Sequence, residues 1–339
     1  MTVRWGIVST ANIARGAFLP GLRAAGGIAA AVAGRDPERT AQWARDHGVE
    51  RAITGYQNLI EDPEIDALYI ALPNSLHADW TIAALRAGKP ALCEKPLCGT
   101  LADTERVLAV ARETRTLLWE AFVFPFNEHM DRIRALVADG DIGELREVQS
   151  DFHFPVSRPE NIRMSADLQG GALRDVGCYP VRLAQELFGE HESAWAAHVI
   201  GGTPGSALPD GSPDALGAPG APGVDVETWG SLGYPGDRRL LLSCGLRRSR
   251  DTFSRLLGTA GQIQAQNLFH SGAGDRVTLI QPGPGGDKVT DFPATRDEPP
   301  FTPALRHINA VLTGEAEPRL LALETSLVTA RALHDLAAV

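Results

Sequence analysis

Residues 1–121 alternate between two patterns, and that alternation leaves the chain very few folds to choose from. Short runs rich in Val, Ile, Leu and Ala, suited to buried strands, recur at Val3–Val8, Ile28–Ala33, Ala67–Leu72, Pro90–Cys93 and Leu117–Ala121. Helix-length stretches separate them. In Ser75–Ala87, the residues Leu76, Trp80, Ala83 and Ala84 return at helical spacing, Gly88 ends the helix, and Pro90 prevents its continuation. Strands alternating with helices build a doubly wound parallel sheet with right-handed crossovers, an α/β Rossmann architecture.

After Phe126 the rhythm changes. Met130, Ile133, Leu136 and Val137 mark one face of a crossing helix that stops at Gly140, and Leu145–Phe154 reads as a strand. An irregular stretch to Gly171 precedes a helix over Ala172–Phe188, closed by Gly189. From Ala194 to Phe292 strands follow one another through turns, with no helix to link parallel neighbours, so the second sheet is expected to be open and mainly antiparallel. Two helices finish the chain. One opens at Thr302-Pro303 and stops at Gly314, and the other covers Leu323–Ala337. The segment 201–225 holds seven glycines and five prolines and reads as a long hairpin loop or an insertion. A chain of 339 residues suits two domains of roughly 150 residues each, and the change of rhythm puts the boundary at 123/124.

Composition excludes several functions. Hydrophobic residues at 44% and charged residues at 22% are those of a globular chain that buries a core. A net charge of −10, with no run of five Lys or Arg, argues against nucleic acid as a partner. No apolar run reaches the roughly 20 residues of a membrane helix, and the opening residues Met1–Gly6 lack a signal peptide's apolar stretch. The expected location is the cytoplasm, with no membrane partner. Cys93, Cys98, Cys178 and Cys244 form no C-x-x-C pair and read as reduced structural thiols.

Five places carry chemistry. After the first strand comes Ser9-Thr10-Ala11-Asn12-Ile13-Ala14, where a dinucleotide fingerprint would sit with two glycines replaced. Small residues there let backbone N–H groups at a helix start approach a pyrophosphate, although a plain strand-to-helix turn has the same look. After the second strand stands Gly34-Arg35 where NAD sites place an acid for the ribose 2′-hydroxyl. Loss of the acid and gain of a guanidinium favour a 2′-phosphate, and so NADP(H), over a merely solvated arginine. Leu72-Pro73-Asn74 and His77 occupy the crevice end of a strand, where His77 either touches the cofactor or packs at the helix start. Glu94-Lys95-Pro96 ends the next strand, and a lysine at a crevice edge is costly without a task. Farther on, Asp175 and Tyr179 lie four apart in Asp175-Val176-Gly177-Cys178-Tyr179 and would share a helix face.

Taken in order, these segments resemble the glucose–fructose oxidoreductase / inositol dehydrogenase / rhizopine catabolism family. Tyr179, where many members carry His, together with Trp119-Glu120-Ala121-Phe122 and Asn161-Ile162-Arg163, resembles its tyrosine branch, which includes dihydrodiol dehydrogenases, D-xylose dehydrogenases and sugar 3-ketoreductases. Pro125 and Asn127 replace an arginine and a histidine common in that branch, so substrate identity does not transfer. The resemblance implies a Rossmann domain at 1–123 and a substrate-binding and oligomerisation domain at 124–339. Ser9, Thr10, Ala11, Asn12, Ile13, Gly34, Arg35, Leu72, Pro73, Asn74, His77, Glu94 and Lys95 would hold NADP(H). Lys95, Tyr179 and Asp175 would be catalytic, Phe122 and Arg163 would join them in binding substrate, and no metal is needed. The implied reaction moves a hydride to or from a sugar, a keto-sugar nucleotide or a cyclic diol. Tyr179 would carry the proton, its phenolate favoured by the Lys95 ammonium, and Asp175 would orient substrate or balance charge. A non-catalytic dinucleotide sensor and an NAD-dependent polyol dehydrogenase are the rival readings. A second sheet with one face bare of helices needs a cover, so the apolar positions of Val226–Leu246 are expected to bury against another subunit of a homodimer or homotetramer.

Overall fold

A computed structural model describes residues 2–158, 160–201 and 223–338. The chain divides into two compact units, Met1–Asn127 with Asp297–Leu327, and Glu128–Arg296 with Val328–Val339.

In the first unit six strands, β1 (Arg4–Val8), β2 (Ile28–Gly34), β3 (Arg51–Thr54), β4 (Ala67–Ile70), β5 (Ala91–Cys93) and β6 (Leu118–Glu120), form one sheet in the order β3-β2-β1-β4-β5-β6. Every neighbouring pair is parallel, as the strand–helix alternation requires. The period-2 alternation of strand side chains divides the core between two faces. Trp5, Ile7 and Tyr69 lie in one cluster with Phe18 and Trp119, and Val8, Leu68, Ile70 and Cys93 lie in the other. Strand β3 escaped the pattern because it is an edge strand with alternate residues exposed.

The helix Thr302–Leu312 belongs to this first unit, whereas a single boundary at 123/124 put it in the second. Packing explains the return. Phe18 stacks on Tyr69 with ring centroids 3.9 Å apart, and Phe301 meets both edge-on. Gly21 makes room, since a Cβ there would stand 2.6 Å from that of Phe301. Trp5 Nε1 donates to Asn309 Oδ1 at 2.9 Å. Burying Phe301 and Leu305 contributes about 1.5–3 kcal/mol each.

The second unit holds an eight-stranded sheet of β7 (Leu145–His153), β8 (Ser193–Ile200), β9 (Asp225–Tyr234), β10 (Arg238–Gly245), β11 (Asp251–Gly258), β12 (Gln262–Gln266), β13 (Arg276–Gln281) and β14 (Lys288–Pro293). Its order is β14-β13-β12-β11-β7-β10-β9-β8, and all pairs are antiparallel except β7 with β10. That parallel pair is possible because the helix Cys178–Phe188 lies in the connection between β7 and β8 and packs on β7 and β10.

One expectation about this sheet is corrected. Val226, Leu232, Leu240, Leu242 and Leu246 are already buried within the chain. The apolar side chains left on the open face are fewer, chiefly Trp195, Trp229 and Leu241, which are 52%, 41% and 39% exposed. Within the segment 201–225, residues 202–222 lie outside the described residues, and Gly201 N–H donates to Val224 O at 2.9 Å. All four cysteines are buried and unbridged. Among the described residues no helix is long and apolar enough to cross a membrane.

Candidate active site

In the first unit every residue expected to hold a cofactor lies at the C-terminal end of a strand or in the loop or helix start that follows it. Ser9 stands at φ 110°, a backbone conformation that favours glycine, and its N–H donates to Ala33 O at 3.0 Å. Serine thus adopts the conformation for which the usual fingerprint supplies a glycine. The following helix opens with a wide π-type turn, Ala14–Phe18, and Ala11 O accepts from both Ala14 and Arg15 N–H. The N–H groups of Asn12 and Ile13 at its start have no carbonyl a turn earlier to bond, the arrangement that receives an anion. Gly34 has no room for an acid, because a Cβ there would lie 2.1 Å from Thr40 Oγ1. Thr40 is held in place by Asp36, which caps the helix Pro37–Asp46 by accepting from Arg39 N–H at 2.9 Å. Arg35 beside them is exposed and makes no ion pair among the described residues. These features fit a dinucleotide whose pyrophosphate meets the helix start and whose 2′-phosphate meets Arg35.

The two loops farther along the sheet are tied to each other. His77, fully buried, lies 2.9 Å by Nδ1 from Pro96 O and 2.8 Å by Nε2 from Leu72 O. Two carbonyls would welcome a doubly protonated ring, but burial is the larger effect and the Lys95 ammonium adds to it, so the His77 pKa is lowered. The neutral ring lies between Leu72-Pro73-Asn74 and Glu94-Lys95-Pro96 and donates to only one of the two carbonyls. Each ring nitrogen faces a carbonyl of the protein itself. Glu94 Oε1 accepts from Tyr69 OH at 2.6 Å, and Glu94 Oε2 lies 3.3 Å from Lys95 N. The peptide Lys95-Pro96 is cis.

Glu120 is a buried residue of this region that the sequence reading quoted only as part of a likeness. Its buried carboxylate accepts from Leu97 N–H at 2.7 Å and from Ser326 Oγ at 2.6 Å, which fixes the loop just after Lys95. A glutamate inside an otherwise apolar strand end was the available signal. Phe122 is buried at 3% exposure, edge-on to Phe124. Pro125 lies buried in the turn Phe124–Phe126, and Asn127 N–H closes that turn on Phe124 O at 3.1 Å.

In the second unit, glycines decide the geometry. A Cβ on Gly170 would stand 2.3 Å from Arg163 O, and Gly171 N–H donates to the same carbonyl at 2.8 Å. Only that close approach lays Asn161-Ile162-Arg163 beside the helix start. Arg163 Nε then reaches Asp175 Oδ2 at 2.6 Å. Asp175 lies in a wide π-type turn, Leu173–Gly177, that leads into the helix Cys178–Phe188. Gly177 lets this turn press on β10, since a Cβ there would meet Cys244 Sγ at 2.9 Å.

Tyr179 is 6% exposed within an aromatic box. Its ring centroid lies 5.2 Å from Phe152, 5.1 Å from Phe269 and 5.4 Å from His270, and its hydroxyl lies 3.5 Å from His270 Nε2. His270 and Phe269 were not foreseen, because they come from a short turn, Leu268–His270, with no motif around it. His153, next to Phe152 in the sequence, pairs by Nε2 with Ser243 Oγ at 2.9 Å, and burial lowers its pKa.

Comparison with known proteins identifies the family of both parts of the chain. Residues 3–122 match the model of an oxidoreductase family with an NAD-binding Rossmann fold, and residues 130–264 match the GFO/IDH/MocA C-terminal domain. The chain is 36% identical to a dTDP-3,4-didehydro-2,6-dideoxy-alpha-D-glucose 3-reductase of Streptomyces violaceoruber, over 86% of this chain and 81% of that one. It is 37% identical to a D-xylose 1-dehydrogenase (NADP(+)) of Haloferax volcanii, over 78% and 76%. Among solved structures it resembles a 3-ketoreductase from Actinomadura kijaniata in complex with NADP and TDP-benzene, with a TM-score of 0.84 and 28% identity over 100% of this chain and 98% of that one. A tyrosine-to-phenylalanine and a lysine-to-alanine variant of that ketoreductase have also been solved, and the two altered positions are separated along the sequence by the same number of residues as Lys95 and Tyr179.

Proposed function

The chain belongs to the GFO/IDH/MocA family of oxidoreductases, named for glucose–fructose oxidoreductase, inositol dehydrogenase and rhizopine catabolism, and from that premise we propose that it is an NADP(H)-dependent enzyme acting at a carbinol or carbonyl carbon of a sugar, a keto-sugar nucleotide or a cyclic diol. The observation that carries the proposal is the pair Lys95 and Tyr179, at the spacing of the lysine and tyrosine altered in the ketoreductase variants. When bound, the cofactor supplies or takes up the hydride.

The protein's own residues do the rest. Thr10–Ile13 and Arg35 hold the dinucleotide, and His77 together with Glu94 and Glu120 keeps the strand-end loops fixed around Lys95. Tyr179 exchanges a proton with the reacting oxygen. Lys95 hydrogen-bonds that oxygen, and its positive charge favours the phenolate of a group whose ordinary pKa is about 10. Asp175, neutralised by Arg163, presents a fixed acceptor for substrate hydroxyls. Phe122 contributes an apolar wall. A dinucleotide sensor would have no use for the proton-handling pair Lys95 and Tyr179, and a strictly NAD-dependent enzyme would have no use for Gly34-Arg35. Four unbridged buried cysteines suit the reducing cytoplasm. The open sheet face around Trp195, Trp229 and Leu241 suits a homodimer or a larger homo-oligomer.

Turnover of a panel of aldoses, keto-sugar nucleotides and trans-diols with NADPH, NADP+, NADH and NAD+ tests the proposal. Turnover of at least one class with a preference for the phosphorylated cofactor is expected. Binding of NADPH with no turnover of any class would leave the sensor as the better reading.

A further inference from the structure

Behind the Asp175–Tyr179 segment a chain of hydrogen bonds runs through the interior of the second unit. Leu173 N–H, at the start of the segment, donates to Asp225 Oδ2 at 2.7 Å. Thr228 Oγ1 lies 2.9 Å from the same oxygen, His198 Nδ1 lies 2.8 Å from Thr228 Oγ1, and His198 Nε2 lies 3.0 Å from Leu336 O. Thr228 is fully buried.

The three links beyond Leu173 need three hydrogens. The Thr228 hydroxyl brings one, a neutral imidazole brings one, and a carboxylate brings none. The Leu336 carbonyl can only accept, so Nε2 must carry a hydrogen. If the Thr228 hydroxyl donates to Asp225, Nδ1 must carry one as well. If it donates to Nδ1, the Asp225 carboxyl must carry one. Both arrangements hold the same number of protons, one more than the separate groups carry at neutral pH. His77, which also faces two acceptors, differs in having no acid in its chain to hold the additional proton.

We propose that Asp225 and His198 are positioning residues for the segment bearing Asp175 and Tyr179, joined through Thr228 into a network that closes only while it holds one additional proton. The proposal rests on the reading of Tyr179 and Asp175 as site residues. Asp225 is the acceptor for the first N–H of the segment, and its other oxygen fills the space where Gly171, at φ +113°, has no side chain, since a Cβ there would lie 2.1 Å from Oδ1. Gly171 O in turn accepts from Asp175 N–H at 3.0 Å. Asp225 therefore sets both the entry to the turn and its first bond.

The surrounding charges allow such a proton. Asp225 faces His198 from β8, Arg174 from the helix start and the Cys244 thiol from β10. Burial pushes its carboxyl above the usual carboxylate range, against the bonds from Leu173 and Thr228 and the charges of His198 and Arg174. Beyond His198, Asp335 next to Leu336 is taken up by His191 at 2.8 Å. Because the network closes in the folded state only with one proton more than the separate groups carry at neutral pH, raising the pH opposes its closure and its stabilisation declines as pH rises.

The test uses the full chain and three forms: wild type, Thr228→Val, which keeps the shape but removes the hydroxyl that joins the pair, and Thr228→Ser, which restores it. Unfolding midpoint, kcat and the KM for NADPH are followed from about pH 6 to 9, the range spanning histidine titration. The stability gap between wild type and Thr228→Val is expected to narrow as pH rises, and kcat to fall several-fold in Thr228→Val with the KM for NADPH unchanged. Thr228→Ser should follow wild type in both. A stability gap constant across pH, or a serine variant that behaves like valine, overturns the proposal. A pH-dependent gap with kcat unchanged marks a structural network alone and overturns the positioning role.

Where Thr228→Val does not fold, nitrogen NMR of the His198 ring and the carboxyl stretch of Asp225 in wild type decide. A singly protonated ring beside an ionised carboxylate at pH 6 overturns the proposal. Near-normal turnover by Tyr179→Phe would instead remove the site reading while leaving the stability result intact.

Discussion

Arg163 and Asp175 neutralise one another across the mouth of a π-type turn, with Nε 2.6 Å from Oδ2 and the guanidinium 5.4 Å from the centroid of the Phe154 ring. Neither is then a lone charge offered to substrate. The carboxylate is 14% exposed and the arginine side chain 36%, so solvent weakens the pair without dissolving it. Asp175→Asn and Arg163→Lys are each expected to lower kcat/KM about tenfold, equivalent to about 1.4 kcal/mol. Lysine cannot reproduce the planar fork over Phe154. A double-mutant cycle should show coupling of about 0.5–3 kcal/mol, toward the lower end because of the exposure. Strict additivity would show that the two act separately.

Tyr179→Phe removes one hydroxyl from a box of aromatic rings, so folding and NADPH affinity should survive. Loss of the proton carrier is expected to cost about 10²–10⁴-fold in kcat. Lys95→Ala should be comparably damaging, and the double variant much less than multiplicatively worse, since the pair acts as a unit. Pre-steady-state and steady-state turnover with NADPH binding measured separately check this.

Arg35 is exposed beside a glycine that Thr40 leaves no room to replace. Arg35→Ala is expected to weaken NADPH by about 1.5–3 kcal/mol, the worth of a hydrogen bond to a charged group, and to leave NADH nearly unchanged. Calorimetric titration of both cofactors separates the outcomes, and equal losses would take Arg35 out of contact with the 2′-phosphate.

His77 predicts an acid limb of stability. Burial, with the Lys95 charge, lowers its pKa despite the carbonyls of Pro96 and Leu72, so the folded state resists a proton that the unfolded chain accepts. That contribution is complete above the ordinary histidine pKa of about 6.5 and is lost as pH falls below it toward the lowered value. Thermal unfolding of His77→Gln should lose less stability than wild type between neutral pH and mild acid. Parallel curves would show that His77 is not the titrating group.

Trp229 and Leu241 stand on the open face of the second sheet at 41% and 39% exposure. Light scattering at micromolar protein should give at least a dimer, and Trp229→Lys with Leu241→Lys should shift it toward monomer without lowering the unfolding midpoint of the monomer. A wild-type monomer would show that this face has no partner copy.

The local patterns settled much of this protein. The runs Val3–Val8, Ile28–Ala33 and Ala67–Leu72 hold the strands β1, β2 and β4 because they are short, apolar and flanked by helix-length stretches, and the parallel sheet follows from that alternation. Lys95 before a proline, Gly34 in place of an acid, and the Asp175-x-Gly177-x-Tyr179 spacing were legible because each is a local departure from what packing alone would ask. Tertiary structure decided what depends on residues far apart in the chain. The helix Thr302–Leu312 packs in the first unit because Phe301 fits beside Gly21, a relation no local window contains. Which apolar residues of β9 and β10 remain uncovered depends on where the helix Cys178–Phe188 lies. Arg163 meets Asp175 only through the close approach at Gly170, and Glu120, His270 and Asp225 take their roles from hydrogen bonds or ring contacts that span 23 to 206 residues. Local propensity encodes elements, whereas the partners of a buried polar group are fixed only when the chain closes around it.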